Sequence, residues 1–459
     1  MTTQTNPRIA VLDIGKTNAK VVVLDSATGT EIAQAKTPNA VLKDGIYPHY
    51  ATDRLWAFAI DALRSFAKEP GFDAISVTTH GASAALLDAS GNLAMPVLDY
   101  EHEYPEEIRS AYGKLRPSFE ETFSPHQAMG LNIGAQLHYQ KKAFPDLFAE
   151  VATIVTYPQY WTARLTGVLS NEVTSLGCHT DLWNPREGRY SSLVDTLGIR
   201  DLMAPIRSAF DALGPVLPEV AETIGLTVEV PVYCGIHDSN ASLLPHLVDR
   251  AAPFAVVSTG TWVINFGVGG DLDHLDPSRD TLANVDAYGR AVPSSRFMGG
   301  REFELLSAEI GPVSSDDAGG AVATAIGKGI MLLPNVASGS GPFPGQQSRW
   351  IDAEGASVEE RHAGVCLYLA LMTEACLGLI GADGPIVVEG PFSLNTTYLE
   401  LLASLTGREV IAIPGSTGTS AGAALLAGVK PVPGAKKVVT PREIPGLRAY
   451  RQGWCSAVA

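Results

Sequence analysis

Three short segments carry the residue types that phosphate and proton chemistry need. The first is Asp13-Ile14-Gly15-Lys16-Thr17-Asn18. An acid ends an apolar run, a glycine lets backbone approach a ligand closely, and amine, hydroxyl and amide donors follow. Such a turn can bind phosphate through its N–H groups while Asp13 holds a hydrated Mg2+, with Lys20 adding a cationic contact. The same residues also suit a plain hairpin turn. The second segment, Ser258-Thr259-Gly260-Thr261-Trp262, repeats the glycine and hydroxyls without the acid. The third, Gly235-Ile236-His237-Asp238-Ser239-Asn240, puts Asp238 where a strand gives way to a helix. There it is either an N-cap or a base that takes a proton from a hydroxyl attacking a γ-phosphate.

Two further segments could shape ligand pockets. Glu389-Gly390-Pro391-Phe392 and Asn395, followed by the glycine-rich run 414–424, can enclose an adenine and ribose between helix N-termini; packing of helices through small residues is the alternative. Thr79-His80-Gly81-Ala82-Ser83, with Asp99-Tyr100-Glu101-His102, offers polar groups suited to a polyhydroxylated ligand, although a lone histidine is more often a satisfied, partly buried imidazole. Trp161, Trp183 and Trp262 could stack on a sugar face or fill the core. Neither GxxxxGK[ST] nor GxGxxG occurs, which argues against P-loop and Rossmann nucleotide sites.

These residues need strands and helices to hold them. Residues 9–25 and 253–268 each read as strand, glycine-containing turn, strand, and the echo between them suggests a duplicated domain. Strands are expected at 74–78, 84–87, 231–235, 385–389 and 409–413. Helical periodicity marks 53–67, with Thr52 as its cap, then 157–166, 239–248, 302–310, 315–326, 357–380, 395–406 and 419–427. A short hairpin is expected at 168–182. Residues 100–150 read as inserted helices and loops, 268–300 as polar loop, and 431–459 as a terminal wrap or loosely held tail.

The composition narrows the setting. With 459 residues, two or three domains can each bury a core. Lys and Arg total 33 against 49 Asp and Glu, a net charge of -16 with no basic block, which makes the chain a poor candidate for nonspecific nucleic-acid binding. Five cysteines without a CxxC pair point to neither a disulfide framework nor zinc. The N-terminus lacks an apolar signal core, and no uninterrupted apolar run approaches the ~18 residues of a membrane span, so a cytoplasmic, membrane-free protein is expected.

Taken in order, the segments resemble the FGGY family of carbohydrate kinases, within the actin-like ATPase superfamily. The likeness runs over about residues 8–430 and includes Pro158-Gln159 with Leu165-Thr166-Gly167. It implies an α/β fold of two actin-like (ribonuclease H-like) domains, each a five-stranded mixed sheet, with an interdomain nucleotide cleft. Their spans would be 1–247 for the sugar-binding domain and 248–435 for the nucleotide-binding domain, with 436–459 as a tail. It implies ATP and Mg2+, with Asp238 as the catalytic base and Asp13 and Asp238 at the metal. Gly15, Lys16, Thr17, Asn18, Lys20, Thr259, Gly260 and Thr261 match the phosphate hairpins, and Gly390 and Asn395 the adenosine site. His80, Gly81, Asp99, His237 and Asp238 lie where members of the family contact the sugar.

The chain departs from the family at Gly15-Lys16-Thr17, commonly Gly-Thr-Thr, and at Glu389-Gly390-Pro391, usually Gly-Gly-Gly or Gly-Gly-Ala. Thr17-Asn18 is similar to fuculokinases and the segment to rhamnulokinases, so L-fuculose or L-rhamnulose is the expected substrate. Xylulose, ribulose, erythritol and glycerol are alternatives, and a homodimer is compatible with the sequence. A non-catalytic sugar sensor on this fold and an actin-like chaperone or filament ATPase also stay open. The retained acids count against the sensor, and the His80 and His237 segments against the ATPase.

Overall fold

A computed structural model describes residues 6–415, 418–432 and 434–459. The chain forms two compact units. The first comprises 6–249, 283–291 and 418–432, and the second the intervening described residues and 434–459.

The first unit is built on the expected hairpin. Strand Arg8–Ile14 is buried at every position after Arg8, because its apolar residues face helices on both sides of the sheet. It runs antiparallel to Asn18–Asp25, with Asp13 opposite Lys20, and parallel to Ala74–Thr79, with Asp13 opposite Thr78. Strand Thr30–Pro38 extends the meander at the sheet edge. Its alternation of half-buried and exposed residues gives a weak apolar signal, and the sequence reading missed it. Ala212–Pro215, Pro231–Tyr233 and Ile236–His237 bring this sheet to seven strands rather than the expected five.

Helices cover both faces. Thr52–Lys68 buries Leu55, Ala59, Leu63 and Phe66; Ala51 is its N-cap, and Thr52 is its first helical residue. Tyr157–Thr166 has a proline in its first turn, ends at left-handed Gly167 and buries Trp161 completely. On the opposite face lie Asp238–Asp249 and Gly418–Leu425. These two helices touch backbone to backbone, since a Cβ on Gly422 would overlap the Ala241 carbonyl. The small residues at 418–424 are therefore helix packing within the first unit. Ser416 and Thr417 of that glycine-rich run lie outside the described residues.

The second unit repeats the theme. Phe254–Thr259 pairs antiparallel with Val263–Val268 and parallel with Ile386–Glu389, which pairs parallel with Val410–Ile413. Helix Val358–Leu379 opens on a capping box between Ser357 and Glu360. By length and composition it could cross a membrane, contrary to the sequence expectation. It is instead the core helix of this unit, most of its apolar surface buried against neighbouring helices and strands.

Three expectations are corrected here. The region 268–300 contains strands Thr281–Val285 and Ala291–Phe297. Residues 173–176 form a helical turn capped by Glu172, and the short hairpin lies further on, at Trp183–Asn184 and Arg189–Tyr190. The terminal segment is no loose tail. Lys437–Val439 pairs with Val410–Ile413, and helix Leu447–Val458 buries Tyr450 and Trp454, whose polar atoms bond Ile330 O (2.7 Å) and Leu332 O (2.8 Å). Truncating a buried tryptophan costs about 3–5 kcal/mol, so this helix is integral to the unit.

Candidate active site

The chemistry concentrates where the first unit's central strands end. Asp13 is the penultimate residue of its strand and is buried. Its Oδ2 accepts a hydrogen bond from Ser420 Oγ (2.8 Å) and lies 3.5 Å from Lys20 Nζ. Burial raises the Asp13 pKa above the ordinary aspartate value; Lys20 and Ser420 oppose the rise, and the nearby Asp238 adds to it. Lys20 lies on the strand, 3.5 Å from both Asp13 and Glu31, rather than at the tip of the turn.

The tip is a closed turn. Gly15 N donates to Asn18 O (2.9 Å), while Asn39 donates from its backbone to Thr17 O (2.9 Å) and from Nδ2 to Gly15 O (2.8 Å). Asn39, a clamp that local sequence gives no reason to suspect, leaves Thr17 and Asn18 exposed, with Asn18 Nδ2 donating to Thr17 Oγ1 (3.1 Å). Lys16 departs from its expected place among the phosphate contacts. Its ammonium bonds Asp99 Oδ1, lies 3.4 Å from Glu101 Oε2, and sits over the rings of Tyr50 (5.1 Å) and Tyr100 (4.6 Å).

Asp238 opens helix Asp238–Asp249 but does not cap it. Its Oδ1 accepts from Ser239 N (2.6 Å) and Ser239 Oγ (3.3 Å), and His237 Nε2 lies 3.1 Å away. Among the described residues Oδ2 has no partner, which leaves one carboxylate oxygen to receive a proton. Some 32% of the side chain remains open, yet the surrounding protein raises its pKa, with His80 and Ser239 opposing.

His237 is buried, and burial lowers its pKa to about 4, so its imidazole is neutral. Its Nε2 lies 3.1 Å from Asp238 Oδ1, while Nδ1 accepts from Asn240 Nδ2 (3.4 Å). Gly81 lies directly against it, where a Cβ would come within 2.6 Å of Nε2. Thr174 Oγ1 accepts the His237 backbone N–H (3.0 Å) and itself donates to Glu172. The fully buried Glu172 also accepts from Thr174 N (3.0 Å), and its pKa is raised to about 7 by burial. The sequence reading missed Glu172 and Thr174, because they reach His237 only through the fold, and it gave Asn240 no role although it lies in the quoted segment.

His80 ends the strand beside Asp13, with its N–H on Ile14 O (2.9 Å). Nδ1 donates to Gly81 O (2.8 Å), while Nε2 is buried without a partner. Tyr50, Tyr100 and Tyr157 surround the ring at 5.0–5.6 Å, and burial lowers its pKa to about 4.

In the second unit, Gly260 and Thr261 are exposed at the turn between Phe254–Thr259 and Val263–Val268. Thr259 is buried, and its hydroxyl donates to Glu389 O (2.5 Å) and accepts from Phe392 N (3.0 Å). That side chain is used to tie two strand ends together. Gly390 adopts φ 77° and ψ -164°, and a Cβ there would overlap Thr259 O. Helix Gly299–Ile310 starts against the exposed turn, with Gly300 touching the Gly260 carbonyl; the adjacent glycines were a signal the loop reading passed over. Asn395 acts as an N-cap, accepting from Tyr398 N (3.0 Å) and Ser315 Oγ (3.0 Å). Trp262 carries Arg296 on its ring (5.0 Å), while Trp161 and Trp183 are buried in the core.

Among the described residues no group of three or more His, Cys, Asp or Glu side chains forms a cation cage. Asp13 and Asp238, two electrostatically coupled carboxylates, fit Mg2+ bound jointly by protein and phosphate oxygens.

Comparison with known proteins agrees with this layout. Residues 8–245 match the N-terminal domain of the FGGY family of carbohydrate kinases, and 251–436 match the carbohydrate kinase FGGY C-terminal domain. The solved structure of a carbohydrate kinase from Novosphingobium aromaticivorans is 36% identical with a TM-score of 0.90, over 98% of this chain and all of that one. A xylulose kinase from Rhodospirillum rubrum shares the fold at 17% identity and a TM-score of 0.82, over 98% of each chain. L-fuculokinase of Salmonella typhi is 26% identical over 58% of this chain and 57% of its own length. That match therefore spans little more than half of the curated relative.

Proposed function

The chain belongs to the FGGY family of carbohydrate kinases, and from that premise we propose that it transfers the γ-phosphate of ATP to a hydroxyl of a ketose. L-Fuculose and L-rhamnulose lead the candidates, on the Thr17-Asn18 resemblance and the fuculokinase similarity. Xylulose follows, on the fold neighbour's name.

The observation that carries the reading is the two-sided Asp238 carboxylate. Oδ1 is held by the backbone and hydroxyl of Ser239 with a neutral His237 beside it, and Oδ2 is open. Oδ2 takes the proton of the acceptor hydroxyl, the hydroxyl oxygen forms the new bond to γ-phosphorus, and the bond to the leaving ADP breaks. The raised pKa of Asp238 makes it a stronger base than an ordinary aspartate. In the first unit, Thr17 and Asn18 direct donors toward phosphate. In the second, the 260–261 turn and Gly390 offer close backbone approach to the nucleotide. Asp13 and Asp238 would hold Mg2+, which when bound neutralises phosphate charge.

The test is ADP release with Mg-ATP across L-fuculose, L-rhamnulose, L- and D-xylulose, L- and D-ribulose, erythritol and glycerol. One strong responder supports the proposal and names the substrate. A silent panel combined with no measurable ATP binding overturns it.

A further inference from the structure

Lys16 occupies a position that sequence assigns to phosphate, yet its side chain is anchored elsewhere. Its ammonium bonds Asp99 Oδ1, approaches Glu101 Oε2 at 3.4 Å, and lies over Tyr50 and Tyr100. The same two rings flank His80, whose imidazole is electrostatically coupled to Asp238. The Lys16 side chain is only 18% exposed. Resting on the kinase reading above, we propose that Lys16 and Asp99 form a substrate-specificity pair that binds a hydroxyl of an uncharged polyol, and that Lys16 is not a nucleotide-phosphate ligand.

The hydrogen-bond inventory supports a hydroxyl. An ammonium has three protons. One goes to Asp99 and one points toward Glu101, which leaves one. Asp99 Oδ1 also accepts from Tyr50 OH (3.3 Å) and Glu101 N (3.3 Å), so that oxygen is full. Oδ2 has no partner among the described residues. A spare donor beside a spare acceptor is complementary to an alcohol, which both gives and receives a hydrogen bond. It is a poor match for a phosphate oxygen, which only accepts.

The charge inventory supports an uncharged acceptor. Asp13, Asp99, Glu101 and Asp238 surround this region, against the ammonium groups of Lys16 and Lys20. Asp99 already neutralises Lys16, so a sugar acid would bring its carboxylate to a region with an excess of negative charge.

The test compares wild type with Lys16→Met and Asp99→Asn by ADP-release kinetics, using the best neutral sugar of the panel and D-gluconate. Calorimetric titration with a magnesium-bound, non-hydrolysable ATP analogue reports folding and nucleotide affinity independently of the sugar. Lys16→Met should raise the sugar KM about tenfold or more, as loss of a charge-assisted hydrogen bond does, with the ATP KM moving less than about threefold. Asp99→Asn should act in the same direction, and wild type should use D-gluconate at least about a hundredfold less efficiently than the neutral sugar. A raised ATP KM with an unmoved sugar KM returns Lys16 to the phosphate turn and overturns the inference alone. No change in either constant, or preferred use of D-gluconate, also overturns it alone. A wild-type enzyme that phosphorylates no member of the panel overturns this inference, and if it also fails to bind the ATP analogue the kinase reading falls with it.

Discussion

Replacing Asp238 by Asn tests the proposed base with little disturbance to its surroundings. The amide has one acceptor end and one donor end, and the structure dictates which goes where. Ser239 N and Ser239 Oγ donate to Oδ1 at 2.6 and 3.3 Å. Turning the NH2 group toward them would set donors against donors, at about 1–3 kcal/mol for each unpaired buried group. The carbonyl oxygen must therefore take the Oδ1 place, and the NH2 group the Oδ2 place. The variant keeps the local hydrogen bonds and loses the ability to accept the acceptor's proton. Loss of a positioned general base costs about 10²–10⁴ in rate, or roughly 3–5 kcal/mol of barrier. In the ADP-release assay kcat should fall by that factor, while the sugar KM stays within about threefold of wild type. The acidic limb of the kcat/KM profile should also disappear. Because Asp238 has a raised pKa, that limb in wild type should lie above the ordinary aspartate value of 3.8. A kcat loss smaller than tenfold, or an unchanged acidic limb, would refute the assignment.

Two further predictions concern the supports of the site. Glu172 has a pKa raised from 4.5 to about 7 in the folded protein, so between those values the unfolded chain ionises first and stability falls as pH rises. The loss amounts to about 3 kcal/mol and levels off above pH ~7. Urea denaturation from pH 4.5 to 8 should show this slope in wild type and a shallower one in Glu172→Gln; parallel profiles would sink the claim. Gly390→Ala would force a side chain into φ 77° and into the Thr259 carbonyl, at a cost of about 2–5 kcal/mol. Its melting temperature should drop by several degrees and its affinity for the ATP analogue should fall, whereas an unshifted melting curve would mean that the close approach is absent in solution.

The residues legible from sequence are those whose role is set locally. Asp13, Gly15, His80 and Asp238 stand at strand ends, and an apolar β-branched run broken by a polar residue marks a strand end wherever it occurs. What escaped depends on distant parts of the chain. The small residues 418–424 look alike whether they line a ligand or a helix, and only the Gly422 contact with Ala241 decides. The terminal helix Leu447–Val458 is polar on most of its surface, and its place follows from two buried rings that find carbonyl partners over a hundred residues upstream. Thr259 and Asn395 were read as ligand donors from their types, but their hydrogen bonds serve strand ends and a helix start. Lys16 fits a phosphate turn by position, while Asp99 lies too far away in sequence to be recognised as its partner.

The protonation states follow a consistent logic. A charged imidazole bonded to Asp238 would hold the carboxylate's pKa down and weaken it as a base. Burial prevents this by holding His237 neutral, so the ring lies 3.1 Å from the acid without lowering its basicity, and the hydrogen bonds on Oδ1 come from Ser239. His80 is held neutral in the same way. Lys20, the nearby cation, is 3.5 Å from Asp13 rather than paired with Asp238. The two carboxylates are thereby distinguished: one lies beside a cation, and the other is oriented by neutral donors with an oxygen left open. That asymmetry is what a site needs when one acid must accept a proton while the other stays charged.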